Sequence, residues 1–256
     1  MNKSILFLGY DRSQTQLLSC LDKVGCRVDH AKEALGAPRE YDQYDLMICF
    51  GYRHIIQKSF LEEFEGDILN LHIAYLPWNR GVYPNFWAFA DNTPHGVTIH
   101  LIDEGIDTGP ILYQKYVNFD AETTFRQSHD RLIAEIEELF VCNIHEIVAQ
   151  QYDPKPQRGI GSYHAMSDLP QFPGGWEADV DDVMEWLDNQ AITMADDAFT
   201  AIERYAEKRA GEDARLIEFL RLAFRQAPRE TAQIIDRITD GRGGVLELFA
   251  KLRSMD

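Results

Sequence analysis

From Ser4 to about Val148, strand-like and helix-like segments alternate, and this alternation constrains the fold more than any other feature of the chain. Alternation of that kind gives a parallel sheet with crossover helices. SILFLG (Ser4–Gly9) reads as the first strand and Ser13–Val24 as a helix; Arg27–His30 is a short strand and DLMICFG (Asp45–Gly51) a buried one. A helix is predicted over His54–Glu65, a strand over ILNLHIAYLP (Ile68–Pro77), and a helix begins at Pro84, a favoured first-turn residue. GVTIHLID (Gly96–Asp103) and ILYQKYVNF (Ile111–Phe119) form a strand pair joined by a glycine-rich loop, and Ala121–Gln150 reads as one long amphipathic helix. The expected fold class is α/β: a Rossmann-like, mostly parallel sheet with flanking helices, followed by a small helical C-terminal appendage. The expected organisation is a catalytic domain over 1–150, an irregular Pro- and Gly-rich connection over 151–180, and a charged helical region over 181–256. In that last region Leu216, Phe219, Leu220, Ala223 and Phe224 recur at helical spacing, which suits an appendage or a homodimerisation element.

Bulk properties remove several function classes. With 45% hydrophobic residues and a net charge of −17, the 256-residue chain forms a core but offers no general surface for nucleic acid, which demands Lys and Arg to replace counterions. No stretch reaches the roughly 20 apolar residues of a membrane span, so no membrane partner is expected. Cys20, Cys26, Cys49 and Cys142 form no CxxC pair, which favours buried reduced thiols in a cytoplasmic protein over disulfides or a zinc site. The first strand-to-helix turn, GYDRSQTQ, lacks the glycines of a dinucleotide site, so NAD and FAD are disfavoured. Arg12 in that turn is a candidate for one phosphate of a substrate, against the plainer reading of a solvated turn.

Two stretches carry candidate chemistry. Along LNLHI, strand alternation puts Asn70 and His72 on one face, an expensive placement in an apolar strand unless the pair is satisfied or used. In HLIDEGIDTGPIL, Asp103 and Asp107 flank Gly105; alone this reads as turn chemistry, but a tight loop between buried strands can carry a carboxylate to a neighbouring imidazole. A calcium loop is a poor alternative because the ligand spacing is absent.

These residues, with Leu-Pro, an aromatic-Ala helix, Gly-x-Thr-x-His and Asp-Thr-Gly following in order, resemble the catalytic segment of the folate-dependent formyltransferases, over roughly Ser4–Val148. The resemblance implies 10-formyltetrahydrofolate as donor, no metal, and a triad of Asn70, His72 and Asp107. It also implies a folate loop at FGYRHII, contacted through Arg53, His54 and Ile56, with Asp103 and Glu104 completing the pocket. Those side chains suit the chemistry: an amide donor for a developing oxyanion, an imidazole to shuttle a proton, and a carboxylate to orient it. The loop YLPWNRGVYPNFW and the stretches SYHAMSDL and GGWEADV look like bacterial sugar N-formyltransferases, with Trp78, Asn79, Arg80 and Asn85 as candidate acceptor contacts. The expected acceptor is a small-molecule amine, a nucleotide-linked amino sugar. Glycinamide ribonucleotide or methionyl-tRNA as acceptor, a formyltetrahydrofolate hydrolase, and a folate-binding protein without activity are the alternatives.

Overall fold

The computed structural model describes residues 3–119 and 123–190. Its central element is a six-stranded sheet ordered β2-β1-β3-β4-β6-β7, built from β1 (Ser4–Gly9), β2 (Arg27–Ala31), β3 (Leu46–Phe50), β4 (Asp67–His72), β6 (Gly96–Leu101) and β7 (Ile111–Tyr116). The first four strands pair parallel, whereas β6 and β7 run antiparallel to their neighbours, so the sheet is mixed. β5 (Arg80–Gly81) and β8 (Tyr163–His164) form a separate two-stranded ribbon.

Strand alternation divides the core into two layers. Ile5, Phe7, Ile48, Leu69, Leu71 and Ile99 face α1 (Leu17–Lys23), α4 (Phe125–Cys142) and α5 (Ile144–Ala149). Leu6, Leu8, Met47 and Ile68 face α2 (Lys58–Glu63) through Phe60. α4 buries Leu132, Ile136 and Phe140, spaced four apart on one stripe, and starts at a capping box in which Thr124 and Gln127 bond each other's backbone N–H. Asn70 and His72 share the face of Ile68, which leads out from under α2.

Several elements are shorter than the sequence patterns suggest, and three of them end for a clear local reason. β4 stops at His72 because Thr98 Oγ1 on β6 donates to Ala74 O (2.7 Å) and accepts from Leu76 N (3.2 Å), taking the backbone groups a longer strand would use. α1 starts at Leu17 because Asp11 Oδ1 accepts from Ser13 N (2.9 Å) and Ser13 Oγ (2.5 Å), holding 11–14 as a turn. The expected single helix over 121–150 is two helices, broken at Asn143, whose Nδ2 donates to Leu139 O at 2.7 Å. Of the cysteines, Cys49 is buried but Cys142 is exposed, so the four thiols are not uniformly interior.

The chain separates into two compact units, Met1–Val180 and Asp181–Asp256. The segment read as irregular, 151–180, belongs to the first: β8 pairs with β5, and Phe172 and Trp176 pack against Phe86, Phe125 and Tyr83. α3 (Pro84–Ala90) carries Phe86. Residues 180–190 are helical, and the rest of the expected helical region, with Leu216–Phe224, lies outside the described residues. No helix among the described residues is long and apolar enough to cross a membrane.

Candidate active site

A cleft of about 510 Å³ opens at the carboxyl ends of β3 and β4, where open α/β sheets bind ligands. Asn70, His72 and Asp107 all line it, and so do Arg53, His54, Ile56, Asp103 and Glu104. Residues 37 apart in sequence meet because β4 and β6 are adjacent and antiparallel, pairing Asn70 with His100 and His72 with Thr98.

The triad is a hydrogen-bonded group with two further members. Asn70 Nδ2 donates to Asp107 Oδ1 at 3.0 Å and lies 3.3 Å from His100 Nε2. His100 Nδ1 lies 2.8 Å from Leu101 O, so Nδ1–H donates there and Nε2 is left to accept. Both amide hydrogens of Asn70 are therefore engaged, and a flipped amide would set its oxygen against a carboxylate. Asp107 Oδ2 accepts from Gly81 N at 2.8 Å. His72 Nε2 donates to Asn79 O at 3.0 Å, while Nδ1 faces Asp107 Oδ2 at 3.7 Å. Nδ1 is thus the nitrogen left to exchange a proton, and at 3.7 Å its pairing with Asp107 is electrostatic rather than a hydrogen bond. Burial alone would push the Asp107 carboxyl up. The neighbouring His72 and His100 imidazoles and the Gly81 N–H outweigh it and hold the group well below the usual carboxylate range. Asp107 is anionic at neutral pH.

Asp107 takes a left-handed backbone conformation, φ +52°, which aspartate tolerates, at the end of a loop shaped by Asp103. Asp103 Oδ1 accepts from Gly105 N (3.1 Å) and Thr108 Oγ1 (2.6 Å), and Gln157 Nε2 donates to both Asp107 O and Gly109 O at 2.8 Å. Residues 51–56 also line the cleft. Gly51 is required there: its φ is +67°, and a Cβ would meet the Tyr10 ring at 2.5 Å. Ile55 is 71% exposed in that segment, and Glu104 is bridged to Lys58 at 2.6 Å.

The five candidate acceptor contacts fare differently, since none of them lines this cleft. Asn79 is fully buried, bonded through Nδ2 to Thr93 Oγ1 and through Oδ1 to Ser162 Oγ. Asn85 is buried in α3 with Nδ2 donating to Phe125 O and Ser128 Oγ, both at 3.0 Å. Arg80 grips Gln157 Oε1 with Nε (3.1 Å) and Nη2 (2.7 Å), bracing the residue that holds the Asp107 loop. Trp78 sits half-buried outside the cleft. Arg12 is paired to Asp22 at 2.7 Å, in a separate depression that also presents Asp130 and Glu137, a poor setting for phosphate. Amide and guanidinium side chains in a loop suggest ligand binding and scaffold bracing equally well, and only the packing separates the two. The sequence assigns no role to His100, Gly81 or Gln157; His100 falls in the Gly-x-Thr-x-His motif, and Thr98 and His100 repeat on β6 the polar i, i+2 spacing of Asn70 and His72.

The family model described as formyl transferase matches residues 8–144, more than half of the chain. The chain belongs to the formyl transferase family. Among solved structures, the formyltransferase PseJ of Anoxybacillus kamchatkensis, in complex with UDP-4,6-dideoxy-4-formamido-L-AltNAc and tetrahydrofolate, is 36% identical at a TM-score of 0.66; the match covers 70% of this chain and 97% of that one. The methionyl-tRNA formyltransferase of Halorhodospira halophila is 35% identical over 142 residues, 53% of this chain and 46% of that protein. The phosphoribosylglycinamide formyltransferase of Bacillus subtilis is 34% identical over 91 residues, 35% of this chain and 47% of its own length. This formyl transferase therefore spans about half the length of those two curated relatives and nearly all of PseJ. Among its described residues no group of three His, Cys, Asp or Glu is placed to hold a metal ion.

Proposed function

We propose that this chain transfers the formyl group of 10-formyltetrahydrofolate to the amine of a nucleotide-linked amino sugar. One observation carries the choice of acceptor: the match spans 97% of PseJ, whose complex holds a UDP-linked formamido sugar and tetrahydrofolate. The tRNA enzymes are matched over about half their length or less, and a net charge of −17 disfavours a polyanionic acceptor. The cleft fits a folate: it is open, about 510 Å³, and walled on one side by an exposed isoleucine and the backbone of 51–56. Arg53, His54, Ile56, Asp103 and Glu104 are the residues proposed to hold it. The reading carries a cytoplasmic location with it, on the ground of four unpaired thiols.

The donor supplies an activated formyl group; the chain supplies geometry and proton transfer. His72 Nδ1 takes the proton shed by the attacking amine as the new C–N bond forms, and returns it to the folate nitrogen as the old C–N bond breaks. Asp107, held anionic, stabilises the imidazolium between those events. Asn70 stabilises the oxyanion by releasing the longer of its two hydrogen bonds, the one of 3.3 Å to His100. The test is incubation with 10-formyltetrahydrofolate and a panel of UDP- and dTDP-linked amino sugars, glycinamide ribonucleotide and methionyl-tRNA, read by mass gain of one formyl group. Formylation of an amino sugar supports the reading. Turnover of either other acceptor alone, or formate release without an acceptor, refutes it.

A further inference from the structure

With the side chains of Asn79, Arg80 and Asn85 bonded within the protein, the cleft still needs side chains to recognise its acceptor, and we infer that the segment Tyr163–Met166 supplies them by seating the amine-bearing sugar ring through His164 and Tyr163. The inference rests on the function proposed above and goes beyond it in naming the recognition surface. Tyr163, His164, Ala165 and Met166 line the cleft that holds the triad. Their distance from the chemistry is set by backbone pairing. His164 and Gly81 are register partners in the β5–β8 ribbon, about 4.8 Å apart as neighbouring strands are. Gly81 N donates to Asp107 Oδ2 at 2.8 Å. A Cβ on Gly81, where φ is +89°, would meet His164 O at 2.3 Å, so the approach is as close as a backbone permits. Whatever touches this segment next to Asp107 is the part of the acceptor that carries the reacting nitrogen.

The His164 ring is fixed on two sides. Its Nε2 donates to Asp91 Oδ2 at 2.8 Å, and its plane stacks on the Trp87 indole with centroids 3.9 Å apart and 5° between planes. Nδ1 makes no hydrogen bond to any described residue, in a side chain that is 14% exposed. An imidazole locked by a carboxylate and an indole, with one nitrogen free beside a reaction centre, is preorganised to bond a hydroxyl. Tyr163 and Met166 beside it are 56% and 68% exposed, an apolar patch inside a cleft. A pyranose meets both demands, having an apolar face for the tyrosine ring and a rim of hydroxyls for Nδ1.

The test separates this role from a tether between 163–166 and α3. An asparagine amide falls about where imidazole Nδ1 lies, and a glutamine amide where Nε2 lies. His164→Gln and Tyr163→Ala should each raise KM for the amino sugar at least about tenfold, the size of one lost hydrogen bond or stacking contact. His164→Asn should recover part of that loss, and KM for 10-formyltetrahydrofolate should stay at the wild-type value in all three. A rise in both KM values with a lowered melting temperature would mean a tether, and a fall in kcat alone would mean a proton-transfer role; either overturns the inference. If the wild-type chain formylates no amino sugar, the proposed function fails first, and that outcome is read from the unmodified protein.

Discussion

Asp107 sits at φ +52° with one carboxylate oxygen on Gly81 N and the other on Asn70, so its side chain is fixed before any ligand arrives. Replacing it with asparagine keeps the size and removes the charge facing His72 Nδ1. Asp107→Asn and His72→Ala should each lower turnover by roughly 10²–10⁴, the usual yield of a positioned proton-transfer group, while the melting transition stays cooperative. A folded His72→Ala variant near the wild-type rate would remove the role. Asp107 also makes a stability prediction. A carboxyl held below its ordinary value of 3.8 stabilises the fold above that pH, and the contribution is lost as pH falls through the lower folded value. The stability gap between wild type and Asp107→Asn should therefore be full at pH 6 and narrow below about pH 4, as measured by urea unfolding. Asn85 behaves otherwise. Its amide bonds Phe125 O and Ser128 Oγ in the interior, so Asn85→Ala should cost about 1–3 kcal/mol of stability and leave both KM values alone. A change in acceptor KM without loss of stability would restore Asn85 to the site.

Just before β6, His95 is packed between Phe89, 4.2 Å away between ring centroids, and Phe119, and its Nε2 is sealed without a partner. Burial lowers its pKa from 6.5 to about 4. The unfolded chain therefore binds the proton first as pH drops, and stability falls between about pH 6.5 and pH 4, by on the order of 3 kcal/mol. His95→Phe suits the aromatic nest and should flatten that limb while leaving the loss due to Asp107, which lies at lower pH, in place. An unchanged limb would mean that His95 is hydrated in the fold. Elements of this kind also mark what was legible in the sequence. The existence of the strands and their mostly parallel pairing follow from alternation and crossover rules, and the polar face of β4 stands out because two costly side chains interrupt an apolar strand. Helix and strand ends were not legible, because Thr98, Asp11 and Asn143 set them with side-chain bonds that no periodicity records. Nor was the fate of 78–85, since Asn79 and Asn85 bond to Ser162, Thr93 and Ser128, some of them more than 40 residues away. The segment 151–180 reads as irregular by composition, yet it carries Gln157 and His164, both brought to the site only by tertiary pairing.

At the scale of the whole molecule, the acidic balance and the single cleft wall at 51–56 together predict which ligands stabilise the native state. A net charge of −17 leaves polyanions without a broad docking surface, so a phosphate-rich ligand must find a specific pocket or none. The turn after β1 is no such pocket: Asp11 and Ser13 close it on themselves, Arg12 is paired to Asp22, and the glycines that bring backbone up to a pyrophosphate are missing. The cleft beside β3 and β4 instead presents exposed Ile55, backbone groups of 51–56 and flanking Arg53 and His54, which suit a flat, partly apolar ring carrying hydrogen-bonding edges. A ligand that binds only the folded chain adds about 2.7 kcal/mol at a hundredfold excess over Kd. For a chain of this size each kcal/mol moves the midpoint by roughly 2–4 °C, so a saturating reduced folate should raise Tm by roughly 5–10 °C. NADH, FAD and ATP at equal excess should leave it in place. If the folate is held largely by shape and backbone, as proposed, its shift should survive an increase in salt that would erase a purely ionic contact. A shift with NADH and none with a folate would take the cofactor assignment away from this cleft, whatever the triad then proved to do.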